Sequence, residues 1–271
     1  MRIGGCARYL SGVMGVVLAP AGAALAQAPA PPARDAPAIV WRASAGYETF
    51  AYRDIASSRP PVDASPVRWL GTGPTIALEY GRVRPARLHQ FAFTTTTSGG
   101  FVYETGVDST SRPVGDSARF IEGRYDYRRT LARSIGLPRL EGEIGARGAV
   151  ERRNFRHELT GAILTETDAL SSIAFVAGLR YHANRVGLRA EWSNAAMLAR
   201  VRRRHEADAL TEISGWGAGW LTDVATHIDL RIAPRTALVV SYLRRGEGVL
   251  LDHRAYTDER RRVTIGLTYA R

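Results

Sequence analysis

Residues 216–232 read WGAGWLTDVATHIDLRI. From Trp216 to Ile232, every second residue is apolar or small. The intervening set turns strongly polar in its second half, through Asp223, His227, Asp229 and Arg231. A period of two marks a strand with one apolar and one polar face. A strand of a soluble sheet keeps such a pattern for about five or six residues, and this run is far longer. A tilted strand needs roughly 9–11 residues to cross a bilayer, with aromatic residues at its interfacial ends. The stretch predicts a strand long enough to span a membrane.

The N-terminus fits an exported chain. Arg2 and Arg8 form a basic region, GVMGVVL (12–18) an apolar one, and Ala24-Leu25-Ala26 a small-x-small motif. This is the pattern of a signal peptide, residues 1–26, with Gln27 the first mature residue. The apolar run is too short for a membrane anchor, and Pro20 interrupts it. Cys6, the one cysteine, falls inside that peptide, so disulfides and thiolate metal sites are excluded from the mature chain. Residues 27–38, QAPAPPARDAPA, predict an extended periplasmic leader.

After residue 26 no 18-residue apolar run occurs, so any membrane crossing must use strands. All 37 basic residues are arginine. The formal net charge is +11, or +9 without Arg2 and Arg8. A basic surface suggests acidic surroundings, and for an exported chain nucleic acid is a poor candidate for them.

From Ile39 onward the alternation keeps returning, and ten strands are predicted over 39–271, with eight or twelve as alternatives. In the first, Trp41, Ala43, Ala45, Tyr47 and Thr49 share a face. In the second, about 67–81, Leu70, Thr72, Ile76, Leu78 and Tyr80 do so, with Pro74 suggesting a bulge. The others are read at 88–103, 118–130, 140–152, 171–182, 185–193, 216–232, 236–244 and 262–271. Links after odd strands are long (54–66, 104–117, 153–170, 194–214, 245–261), and those after even strands are short. Ala183-Asn184 and Ala233-Pro234-Arg235 have tight-turn chemistry. Short turns on one side and long loops on the other are the arrangement of transmembrane β-barrels.

Over residues 39–271 the chain therefore resembles the outer-membrane β-barrel superfamily of Gram-negative bacteria, by architecture and without a specific family motif. The resemblance implies an all-β, antiparallel up-and-down barrel. It also implies residence in the outer membrane, both termini in the periplasm, and insertion by the barrel assembly machinery. Such barrels usually end in an aromatic residue; here Tyr269 is followed by Ala270 and Arg271.

The inward faces are expected to hold a charge network of Glu48, Glu79, Glu122, Arg124, Asp126, Arg128, Glu141, Glu143, Arg147, Arg180, Arg189, Glu191, Asp223, His227, Asp229 and Arg231. Buried charges persist only when paired or wetted. Two readings follow: a salt-bridged plug, or a narrow polar pore whose residues set selectivity. Arg124 and Glu143 are expected to face each other. A second set, Arg152, Arg153, Arg202, Arg203, Arg204, Arg244, Arg245, Arg260, Arg261 and Arg262, falls near the long-loop strand ends. Arginine forks suit phosphate, so these are expected contacts for lipopolysaccharide.

Catalytic and metal sites are not expected, and no cofactor motif is present. Omptin-type ten-stranded proteases use an Asp/His pair at the extracellular rim; His227 and Asp229 share an inward face but lie close to the turn at Pro234. Glu191-Trp192-Ser193-Asn194 resembles the His-x-Ser-Asn surroundings of barrel lipid hydrolases, with Glu191 replacing the histidine base. The remaining histidines have no metal-ligand spacing. The expected function is a non-enzymatic barrel, structural or porin-like, serving an envelope or exopolysaccharide export partner. The alternatives are a barrel protease or lipid hydrolase, and an adhesin acting through its loops.

Overall fold

The structure, a computed structural model, describes residues 38–56, 67–84, 86–105, 108–131, 139–159, 162–205, 211–214, 219–251 and 254–271. The signal-peptide and leader residues up to 37 lie outside this set, as do Trp216, Gly217 and Ala218.

The strands are β1 (Ala38–Ala56), β2 (Val67–Arg84), β3 (Arg87–Thr105), β4 (Asp108–Thr130), β5 (Leu140–Leu159) and β6 (Ala162–Ala183). They continue with β7 (Val186–His205), a short β8 (Thr211–Ser214), β9 (Gly219–Ala233), β10 (Thr236–Leu251) and β11 (Arg254–Ala270). Each long strand pairs antiparallel with its sequence neighbours, β7 pairs with β9, and β1 pairs with β11. The sheet closes into a ten-stranded barrel, and the short β8 continues the place of β9 in the wall, on the same edge of β7 and beside β10. Closure leaves no free edge on the ring, as backbone in hydrocarbon requires.

The barrel is inverted relative to a soluble protein. Large apolar side chains stand exposed on its outside, among them Trp41, Ile76, Phe91, Val150, Phe175, Ile228, Ile265 and Leu267. Near the short turns, Trp41, Tyr80, Phe91, Tyr125 and Tyr269 form an aromatic girdle. Tyr47, Trp192, Trp220 and Tyr242 form another towards the far end. These are the outer belt and interfacial rings of a membrane barrel.

Two turns match their sequence chemistry. Asn184-Arg185 and Pro234-Arg235 each close a two-residue link, and Asn184 takes the positive φ (42°) that asparagine tolerates. Around Pro74 the β1–β2 register runs on unbroken, while the β2–β3 register shifts between Gly71 and Thr75. Proline cannot donate to that ladder, so the irregularity falls on one side only.

The long-loop expectation is corrected at most positions. The links after β3, β5 and β10 shrink to residues 106–107, 160–161 and 252–253, because β4, β5, β6, β10 and β11 run well past their predicted ends. Likewise β7 continues to His205 instead of stopping at 193. The reason is a reversal of faces. Beyond the belt the outward positions become polar (Arg119, Arg152, Asn154, Arg156), while inward ones become apolar (Phe120, Phe155, Leu170, Leu198). Past the belt the strands continue with polar side chains outside and, inside, apolar side chains mixed with buried ion pairs.

Candidate functional site in the barrel lumen

The lumen is built in tiers. Nearest the short turns, Arg42 on β1 bridges Glu79 on β2 and Asp229 on β9, each at 3.3 Å. Gln90 donates to Glu79 at 2.5 Å, and His227 Nδ1 lies 2.8 Å from Ser241 Oγ.

Arg147 is the hub of the next tier. Its guanidinium reaches Asp126 (2.6 Å), Glu191 (2.7 Å) and Asp223 (3.2 Å), and donates to Ser193 Oγ (3.1 Å). Arg128 binds Glu191 (2.6 Å) and Asp126 (3.0 Å), while Arg180 and Arg189 hold Glu143 at 2.9 and 3.0 Å.

Above it, Arg245 fans out to Asp223 (2.8 Å), Glu122 (2.8 Å) and Glu151 (3.1 Å). Arg260 pairs with Glu151 and Asp258, and Arg262 with Glu48. Glu48 also accepts from Thr96 Oγ1 at 2.6 Å. At the far end Arg153 binds Glu151 and Glu247, and Arg200 binds Asp168. Asp126, Arg153, Asp168 and Asp223 are each 0% exposed.

Interleaved with the charges at the far end is an apolar cluster of Phe50, Tyr52, Ala118, Phe120, Phe155, Leu170, Leu198, Leu221 and Val249. Phe50 and Phe155 meet Phe120 edge-on, at centroid distances of 5.0 and 5.7 Å. The Arg260 guanidinium lies over the Phe120 ring, 4.6 Å from its centroid, joining the cluster to the network.

The expected residues distribute unevenly over this arrangement. Glu48, Glu79, Glu122, Arg124, Asp126, Glu143, Arg147, Arg180, Arg189, Glu191, Asp223 and Asp229 all take part in inward ion pairs. Glu141 lies inward on β5, opposite Arg180. Arg231 does not belong to the network: it is exposed, because β9 has already reached the turn. Arg124 does not face Glu143. It pairs with Asp126 on its own strand (3.2 Å) and lies opposite Ala149 on β5.

The expected phosphate-binding arginines are split by the strand period. Arg153, Arg245, Arg260 and Arg262 point inward and are buried, which removes them from any outer contact. Arg152, Arg203, Arg244 and Arg261 face outward; the side chains of Arg202 and Arg204 lie outside the described set. Strand parity makes consecutive arginines point to opposite sides of one wall. Arg244 and Arg261 share Glu259, each at 3.0 Å. Partial burial opposes ionisation of Glu259, but the hydrogen bond from Arg261 and the charge of Arg244 hold its carboxyl below the usual range.

Arg42, Asp168, Arg200, Glu247 and Asp258 escape the sequence reading. Most lie where the strands were expected to have ended, and Arg42 shows its inward role through its alternation with Trp41 and Ala43.

No catalytic grouping assembles from the candidate motifs. His227 is bonded to Ser241 and Asp229 is paired with Arg42. Ser193 is buried inside against Arg147, while Asn194, one residue on, faces outward and accepts from Thr222. Among the described residues, no three His, Cys, Asp or Glu side chains converge on a metal position.

No family model matches the chain, nor does any curated protein. Its fold is similar to the crystal structure of the outer membrane protease OmpT from Escherichia coli. The TM-score is 0.68 at 11% identity, over 86% of this chain and 97% of that one. The chain has the fold of a Gram-negative outer-membrane β-barrel. Looser matches include the Pseudomonas putida toluene transporter TodX (TM-score 0.33, 7% identity, 86% of this chain and 89% of that). Another is Neisserial surface protein A (0.32, 11%, 84% and 96%). For a barrel of ten strands, between the filled and the channel-forming sizes, lumen chemistry decides what can pass.

Proposed function

We propose that this protein is a non-enzymatic, structural outer-membrane barrel whose lumen is sealed rather than conducting. The observation that supports this is the filling of its interior: buried ion pairs run from the short-turn end to the far end, where they interleave with a packed aromatic and aliphatic cluster. A buried network of this kind is costly to open, since each ion stripped of its partner would stay desolvated. Of the described carboxylates near the far end, Asp168, Glu247 and Asp258 are engaged by Arg153, Arg200 and Arg260 rather than poised for proton transfer. The purified protein in planar bilayers should give no single-channel conductance; resolved steps would overturn the sealed-lumen reading.

In the proposed orientation the short turns and both termini are periplasmic. The outward arginines beyond the second girdle then meet lipopolysaccharide phosphates, and the barrel assembly machinery inserts the chain. An epitope inserted at 234–235 should be labelled only after the outer membrane is permeabilised, and one inserted at 206–210 on intact cells. Labelling at 234–235 on sealed cells would reverse the orientation.

A further inference from the structure

The outer wall carries an upper cleft across β3–β6 and a lower one that runs round the belt from β10 and β11 through β1 and β2 to β6, passing beneath the first. The upper cleft, about 430 Å³, has polar outward residues at its mouth, with the buried Ala118, Phe155 and Glu166 also in its lining. Across it Thr97, Arg119, Asn154 and Thr167 stand in register, with Arg156 and Thr165 in the next rank. Arg152, one rank below Asn154, donates to its Oδ1 at 3.2 Å. Arg119 and Arg156 have no carboxylate partner among the described residues, unlike Arg244 and Arg261 on the other side of the barrel, which share Glu259.

The lower cleft, about 1070 Å³, lies in the apolar belt, with Trp41, Leu78, Phe91, Phe93, Tyr125 and Ile173 among its walls. Its floor includes Gly123 and Gly148, where an added Cβ would meet nothing within 4 Å. Gly123 lies four residues along β4 from Arg119, a separation of roughly 13 Å at about 3.3 Å per residue. Two guanidinia without a carboxylate partner among the described residues therefore stand at the headgroup level over an apolar groove at the acyl level.

We propose that this wall is a specific binding site for a phosphorylated, multiply acylated glycolipid. Its phosphate is held by Arg119 and Arg156 with Asn154 beside them, and its chains lie in the groove over Gly123 and Gly148. Guanidinium forks match phosphate geometry, and the contact strengthens beside the hydrocarbon boundary where water is scarce. The site rests on the reading of the chain as an outer-membrane barrel, and not on its orientation, because symmetric vesicles present the lipid to both sides.

The test is native mass spectrometry of the full chain, refolded into phosphatidylcholine vesicles containing bisphosphorylated hexa-acyl lipid A. The wild type should retain one lipid A. Arg119→Gln/Arg156→Gln should lower retention at least about tenfold, the loss of two charge-assisted contacts. Gly148→Leu should also lower it by filling the groove, and the open floor at that position means the barrel accommodates the side chain. Arg185→Gln/Arg235→Gln, in the exposed short turns at the opposite end, should retain lipid A as the wild type does. Heat-modifiable migration on gels verifies that every variant has folded. Equal retention by all variants, or equal retention of dephosphorylated lipid A, overturns the site while leaving the sealed barrel untouched. Conductance by the wild type overturns the sealed barrel and leaves this site standing.

Discussion

Arg147→Met tests whether the lumen is dry. The side chain is 1% exposed and binds three carboxylates on three other strands, Asp126, Glu191 and Asp223. Methionine keeps much of the aliphatic stem and its packing but not the charge. Each carboxylate would retain a second cation: Arg128 for Asp126 and Glu191, and Arg245 for Asp223. The loss is therefore one positive charge spread over three anions rather than one stranded anion. Breaking a buried pair costs about 3–5 kcal/mol, and this sharing places the expected cost near the lower figure, about 3 kcal/mol. Arg261→Met, at a side chain 58% exposed on the outer surface, should cost no more than about 1 kcal/mol. Both values can be read from reversible urea unfolding in lipid vesicles, with the outward Trp41, Trp192 and Trp220 as fluorescence reporters. Combining Arg147→Met with Asp126→Asn should cost less than the sum of the two single changes, since it removes one of the under-neutralised anions. If Arg147→Met proves as mild as Arg261→Met, water screens the network and the sealed lumen is refuted.

Two further substitutions probe the other layers. Ile228→Arg should destabilise the inserted barrel by roughly 2–4 kcal/mol if that position lies near the bilayer midplane, whereas the inward Ala225→Ser should cost little; equal tolerance in vesicle-folding titrations would reverse the assignment of faces on β9. Phe120→Ala should cost about 3–5 kcal/mol by hollowing the apolar cluster, measured by the same urea titration, and a change below about 1 kcal/mol would mean that the aromatic cluster does not pack as a core.

The architecture was legible because one rule governs most of the chain: within the belt, apolar side chains go out and charges go in. Trp41, Ala43, Ala45 and Tyr47 on β1, or Ile121, Gly123 and Tyr125 on β4, announce their face through that rule. The rule fails where the strand leaves hydrocarbon. On β5 the outward series runs Ile144, Ala146, Gly148, Val150 and then Arg152, Asn154, Arg156, while the inward series runs Glu143, Arg147, Glu151, Arg153 and then Phe155. Nothing in the backbone changes between Val150 and Arg152; only the solvent outside does. A search for apolar-out alternation must stop there and assign a loop, although the ladder to β6 runs unbroken to Leu159. The same reversal explains the arginines. Runs such as Arg244-Arg245 and Arg260-Arg261-Arg262 look like a single basic patch in sequence, yet each is divided by the pleat into lumen cations and outer-surface cations. Reading those runs by parity rather than by density separates the residues that seal the barrel from those available to lipid.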